Sequence, residues 1–187
     1  MATWNPSIAN SADDAQELAG TVTLTGVTIN CNSLTAYIGF IFHSCPAPRG
    51  SIVTAATLSL YFSSGSYDDP DVLIHCQANQ NDPVFEASTN NISGRTRTTE
   101  YTAWDATGVG TGLKTSPDFA TAVQAQMNDA SYSEGGRVIV IIKGNSNGSL
   151  MRVNTYDNGS NIPALNLTYT PPGSLVVPRR RLAYTRF

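Results

Sequence analysis

Arg137-Val138-Ile139-Val140-Ile141-Ile142-Lys143 is five apolar residues, all β-branched, between two cations. A run this short is half a helix at most, and its residue types are those that pack best on a pleated sheet. With no polar position inside it, it reads as a central strand covered on both faces. Other segments alternate instead. Thr21–Ile29 places Val22, Leu24 and Val27 among threonines, with Gly26 marking a bulge. Ala36–His43 sets Tyr37, Gly39 and Ile41 on one face and Ile38, Phe40 and Phe42 on the other. Leu58, Leu60 and Phe62 are in phase along Ile52–Phe62. Asp71–Ala78 puts Val72, Ile74 and Cys76 opposite Leu73 and His75. Met151–Tyr156 and Ala164–Tyr169 complete the set, and Pro/Gly/Asn-rich turns separate the segments.

One stretch has helical spacing. Phe119, Val123 and Met127 recur at i, i+4 and i+8, behind Ser116-Pro117-Asp118, which predicts a short helix over about 116–128. About eight strands with one such helix predict an all-β, jelly-roll-like sandwich. Pro171-Pro172-Gly173 ends the pattern. The expected organisation is an N-terminal arm (1–11), a sandwich (12–170) and an extended basic and apolar C-terminal arm (171–187).

Composition agrees with strands joined by turns. The chain of 187 residues is 41% hydrophobic and only 13% charged, too little charge for a helical bundle or a disordered solvating chain. No apolar run approaches the roughly 20 residues that span a bilayer, and no secretory signal is visible at the start, so neither a membrane partner nor export is expected. The net charge of −3 conceals a division. Residues 1–178 hold 7 basic and 14 acidic side chains, a net −7, whereas Arg179, Arg180, Arg181 and Arg186 add +4 without an acid among them. A nucleic-acid binder would carry its basic surface on the folded domain, so no nucleic-acid partner is expected. Cys31, Cys45 and Cys76 are too few for a disulfide scaffold and lack zinc spacing. They read as buried thiols, a Cys31–Cys45 bridge being the alternative in an oxidising setting.

The pieces in order resemble a known module. They are Ala12-Asp13-Asp14-Ala15-Gln16-Glu17, Tyr37-Ile38-Gly39-Phe40-Ile41-Phe42 and Pro48-Arg49-Gly50-Ser51-Ile52-Val53-Thr54-Ala55-Ala56-Thr57-Leu58. Ser93-Gly94-Arg95-Thr96-Arg97-Thr98-Thr99 follows, then Trp104, Pro117-Asp118-Phe119 with Ala122-Val123-Gln124, Tyr156-Asp157 and Pro163-Ala164-Leu165. Over residues 12–169 the series resembles a β-sandwich module, related to DNRLRE-type and carbohydrate-binding-like domains, of bacterial surface proteins and tailed-phage virion proteins. The resemblance implies a jelly-roll-like fold and adhesive or structural duty, with no established catalytic residues. The family pattern has an arginine where this chain has Ile41, so a role tied to that charge does not carry over.

Asp13, Asp14 and Glu17, and likewise Asp68, Asp69 and Asp71, are weak Ca²⁺ candidates without a recognised ligand loop, so no cofactor is expected. His43 and His75 lack a serine on a nucleophile elbow, and catalysis is not expected. Arg95 and Arg97 are assigned scaffold duty, binding loop carbonyls or an acid such as Asp157, and Trp104 a place in the core. Trp4 and Tyr67 are the aromatic candidates for glycan stacking, with Tyr132 and Tyr156 also considered. In the tail, Leu175, Val176, Val177, Tyr184 and Phe187 alternate with or flank Arg179, Arg180, Arg181 and Arg186, a composition suited to docking on a protein. The expected function is therefore a virion structural protein, a capsid decoration or cement protein or a tail or fibre component. Its expected partners are major capsid protein or another virion subunit, and copies of itself. A carbohydrate-binding module is the alternative.

Overall fold

β11 (Val138–Gly144) runs through the middle of a sheet, and Val138 to Ile142 have no exposed surface. The computed structural model of the chain describes residues 1–63, 68–148 and 150–173. In chain order its other strands are β1 (Ala2–Trp4), β2 (Asp14–Leu18), β3 (Thr21–Thr23), β4 (Thr28–Cys31), β5 (Ala36–Phe42) and β6 (Ile52–Phe62). Then come β7 (Asp68–Asp69), β8 (Asp71–Gln77), β9 (Arg97–Asp105), β10 (Gly112–Thr115), β12 (Leu150–Asn154) and β13 (Ala164–Thr170), with one helix, α1 (Ala120–Asn128). All pairings are antiparallel. One sheet has the order β1-β13-β6-β12-β4, with β10 also on β6 and β7 on β12; the other is β3-β2-β5-β11-β8-β9. The protein is an all-β sandwich.

The inward faces interdigitate. Ile38, Phe40 and Phe42 of β5, Val72 and Ile74 of β8 and Val140 of β11 meet Leu58, Leu60 and Phe62 of β6 and Leu165 and Leu167 of β13. Each large side chain so buried stabilises the fold by about 1.5–3 kcal/mol. Trp104 is in this core, its ring edge-on to Phe62 at 5.5 Å. Phe119, Val123 and Met127 lay the buried stripe of α1 against it.

Four details differ from the sequence reading. Thirteen strands exist among the described residues, rather than about eight, because β1, β3, β4, β7 and β10 are pieces of two to four residues paired only through tertiary context. Thr21–Ile29 is not one bulged strand: β3 joins the six-stranded sheet and β4 the other, and the chain crosses between them where the Gly26 carbonyl accepts the Thr155 hydroxyl. The helix starts at Ala120, not near 116. Ser116 Oγ accepts the Leu58 N–H at 2.9 Å and Asp118 Oδ1 that of Ala56 at 2.9 Å, so these side chains extend the β10 ladder along β6. Lastly, residues 1–11 are not a free arm. β1 pairs with β13, Ser7 bridges Ala164 and Ile8 is buried. Trp4 pays for this position with its exposure.

Candidate functional site

The outward face of the six-stranded sheet is divided in two. One half lies beneath the segment 78–96, which crosses it and encloses a second apolar cluster of Ala15, Val22, Ile41, Phe85, Ile92, Ile139 and Ile141. Polar contacts hold the segment down. Glu17 accepts the Ile92 and Ser93 amides at 2.8 and 2.9 Å. Arg95 stacks 4.5 Å from the Phe85 centroid and donates to the carbonyls of Asn91, Pro83 and Val84 and to the side chains of Gln77 and Asn91. It does not reach Asp157, which accepts the Ser11 hydroxyl instead.

The other half is open. Its rows follow the strand register: Tyr37, Lys143, Leu73 and Ala103 side by side, then His75 and Tyr101, whose row-mates Gly39 and Ile141 lie under the crossing segment. Tyr101 is 53% exposed, and its ring lies 5.1 Å from that of His75 at 42°. The Arg97 guanidinium sits 5.4 Å over the Tyr37 ring and donates to the Ser93 carbonyl. Burial lowers the His75 pKa below its ordinary value; the Thr98 carbonyl bonded to the ring opposes this, and the charges of Arg97 and Lys143 reinforce it. A hollow of about 360 Å³ adjoins Tyr37, walled by Glu17, Gly20, Thr35, Asn90 and Ser93. The arrangement offers ring surface and two cations to a ligand from solvent.

A buried acidic cluster joins β2 to the 155–158 turn. Asp13 contacts His43 Nε2 at 2.6 Å and accepts from Asn10 at 3.0 Å. The Tyr156 amide donates to Asp14 Oδ2 at 2.7 Å, while Asp14 Oδ1 and Asp157 Oδ2 are buried without a hydrogen-bond partner. Burial pushes the Asp14 carboxyl up to about 7; the Tyr156 amide opposes this, and the neighbouring Asp157 and Asp13 add to it. The pattern is structural: these groups tie three chain segments together.

The remaining candidates are dispersed. Trp4 is half-buried against the core at the sheet edge, a poor stacking platform. Tyr67 and the tail residues Leu175, Val176, Val177, Arg179, Arg180, Arg181, Tyr184, Arg186 and Phe187 lie outside the described residues. Asp69 accepts the Gly108 amide and Asp71 the Asn145 side chain. Among the described residues, no three His, Cys, Asp or Glu side chains are grouped to hold a metal ion. Tyr132 is buried with its hydroxyl on the Ala47 carbonyl. Cys31, Cys45 and Cys76 are buried thiols, none in a disulfide, and burial pushes Cys31 up to about 12. His75, Tyr101 and Lys143 were not singled out as ligand-binding residues from sequence. The signal was the alternation that set Tyr37 and His75 opposite the core-facing residues of their strands.

The chain matches no family model and no curated protein.

Proposed function

We propose that the chain is a non-enzymatic structural subunit of a virus particle, a capsid decoration or cement protein or a tail or fibre component, attached through its C-terminal segment. The observation that carries this reading is the pairing of Ala2 with Tyr169. It brings the start of the chain and the base of residues 171–187 together at one edge of the sandwich, leaving the N-terminal residues committed to the fold. Residues 171–187 hold four arginines together with Leu175, Val176, Val177, Leu182, Tyr184 and Phe187, on a body of net −7. Thr170 pairs with Ile52, which is 63% exposed and lines a groove of about 410 Å³ with Val53, Glu100, Ala120, Thr121 and Ala125. That corner presents apolar surface to solvent beside the base of the segment. A lattice of identical sites would multiply such contacts.

Removing residues 171–187 should abolish incorporation into particles while the near-ultraviolet dichroism of the sandwich is retained. Unchanged incorporation would overturn the role given to the segment. A second reading, glycan attachment, is supported by the open face bearing His75, Tyr101 and Tyr37, and the two roles are compatible in one subunit.

A further inference from the structure

Arg97 and Lys143 flank this open face in a body with twice as many acids as bases. Among the described residues neither has a carboxylate within 4 Å. Glu17, the acid nearest the Tyr37 hollow, is occupied by two backbone amides. Asp71 and Asp105 face each other across β8 and β9, one row beyond Leu73 and Ala103 on that face, and Asp71 is engaged by Asn145. Two cations thus flank the exposed Tyr101 and the half-buried His75 and Tyr37 on a net-negative molecule, with no protein carboxylate within 4 Å of either.

We propose that this face binds a carboxylate-bearing saccharide, its sugar rings against Tyr101, His75 and Leu73 and its carboxylates between Arg97 and Lys143. The proposal rests on the glycan reading above and names the ligand class. Aromatic faces accept the apolar faces of sugar rings while their polar edges stay wet. A guanidinium fixed on Tyr37 and on the Ser93 carbonyl loses little freedom on meeting a carboxylate, and Lys143 supplies a second, adaptable charge.

His75 makes the test specific. A carboxylate bound between Arg97 and Lys143 offsets the two charges that add to burial in lowering its pKa, so with the same sugar rings over it His75 titrates at higher pH in the acidic complex than in an uncharged one. His43, paired with Asp13 on another part of the molecule, serves as the control. The full chain is titrated with oligogalacturonate, with its methyl ester, which has the same rings without charge, and with oligosialate, while both histidine rings are followed by NMR. Expected are binding of at least one acidic oligomer, a His75 titration higher in that complex than in the ester complex with no such difference at His43, and affinity for the ester lower by about tenfold, as for a lost charge-assisted contact. Lys143→Gln and Tyr101→Ala should each weaken binding about fivefold or more without altering the thermal midpoint. Equal binding of acid and ester, or a neutral glycan perturbing this face where both acidic oligomers do not, would overturn the charge inference and leave the glycan reading standing. Failure of every glycan, charged or neutral, to bind would end both.

Discussion

The ring of Phe85 occupies the space a side chain on Gly39 would need: a β-carbon built there would come within 2.2 Å of Phe85 Cζ. The backbone conformation at Gly39 is ordinary, so the requirement for glycine is the close approach of a ring from 46 residues away in sequence. This contact seats the crossing segment on the sheet.

Gly39→Ala is therefore expected to lift Phe85 and cost about 1–3 kcal/mol, the usual range for overpacking. Hydrogen exchange should quicken in residues 78–96 and hardly change in β11. Phe85→Ala alone opens a cavity, but the double variant should cost less than the two singles together, because the clash disappears with the ring. Strict additivity in denaturant melts would disprove the contact.

Arg95→Ala removes five hydrogen bonds at once and uncovers the Phe85 face, and should destabilise by roughly 2–4 kcal/mol. Arg95→Lys should recover only a minor part, since a single ammonium cannot span acceptors arranged around a planar fork. Equal stability of the lysine variant and the parent in urea titrations would show that charge alone suffices.

Asp14 gives the fold a pH dependence of defined sign. Its carboxyl titrates at about 7 in the folded protein against an ordinary 3.8. Between those values the folded chain holds a proton that the unfolded chain has lost. The contribution is complete below about 3.8 and disappears as pH rises through 7. Asp14→Asn keeps an acceptor for the Tyr156 amide and removes the ionisation. Relative to the parent, this variant should gain stability from pH 4 upward and level off at roughly 2–4 kcal/mol by pH 8. Parallel stability curves for the two proteins would rule the mechanism out.

The long strands were legible because each carries its own pattern. Ile38, Phe40 and Phe42, or Leu58, Leu60 and Phe62, alternate far enough to define a buried face without help from a neighbour. β1, β4 and β10 carry no such pattern; Ala2-Thr3-Trp4 becomes a strand only because β13 lies beside it. Ser116-Pro117-Asp118 looks like a helix start; Ser116 is instead taken up by β6, while Asp118 Oδ1 accepts both the Ala56 amide of β6 and the Ala120 amide that opens α1. The candidate site was half visible. Alternation gave the outward faces of Tyr37 and His75, but not which outward residues the segment 78–96 would cover, and nothing local places Tyr101 against His75. Trp4 illustrates the converse, an aromatic near a terminus that the fold draws into its edge.

The setting of β13 bears on how the sandwich responds to a pull on the end of that strand. It is held along its length, by β6 from Ala164↔Ser59 to Thr170↔Ile52 and on its other side by β1 from Ala2↔Tyr169 to Trp4↔Leu167. Tension applied at Gly173 along the strand axis is resisted in shear, with the hydrogen bonds of both neighbours strained together rather than peeled one after another. A pull on that end would have to break both ladders together before the sandwich opened.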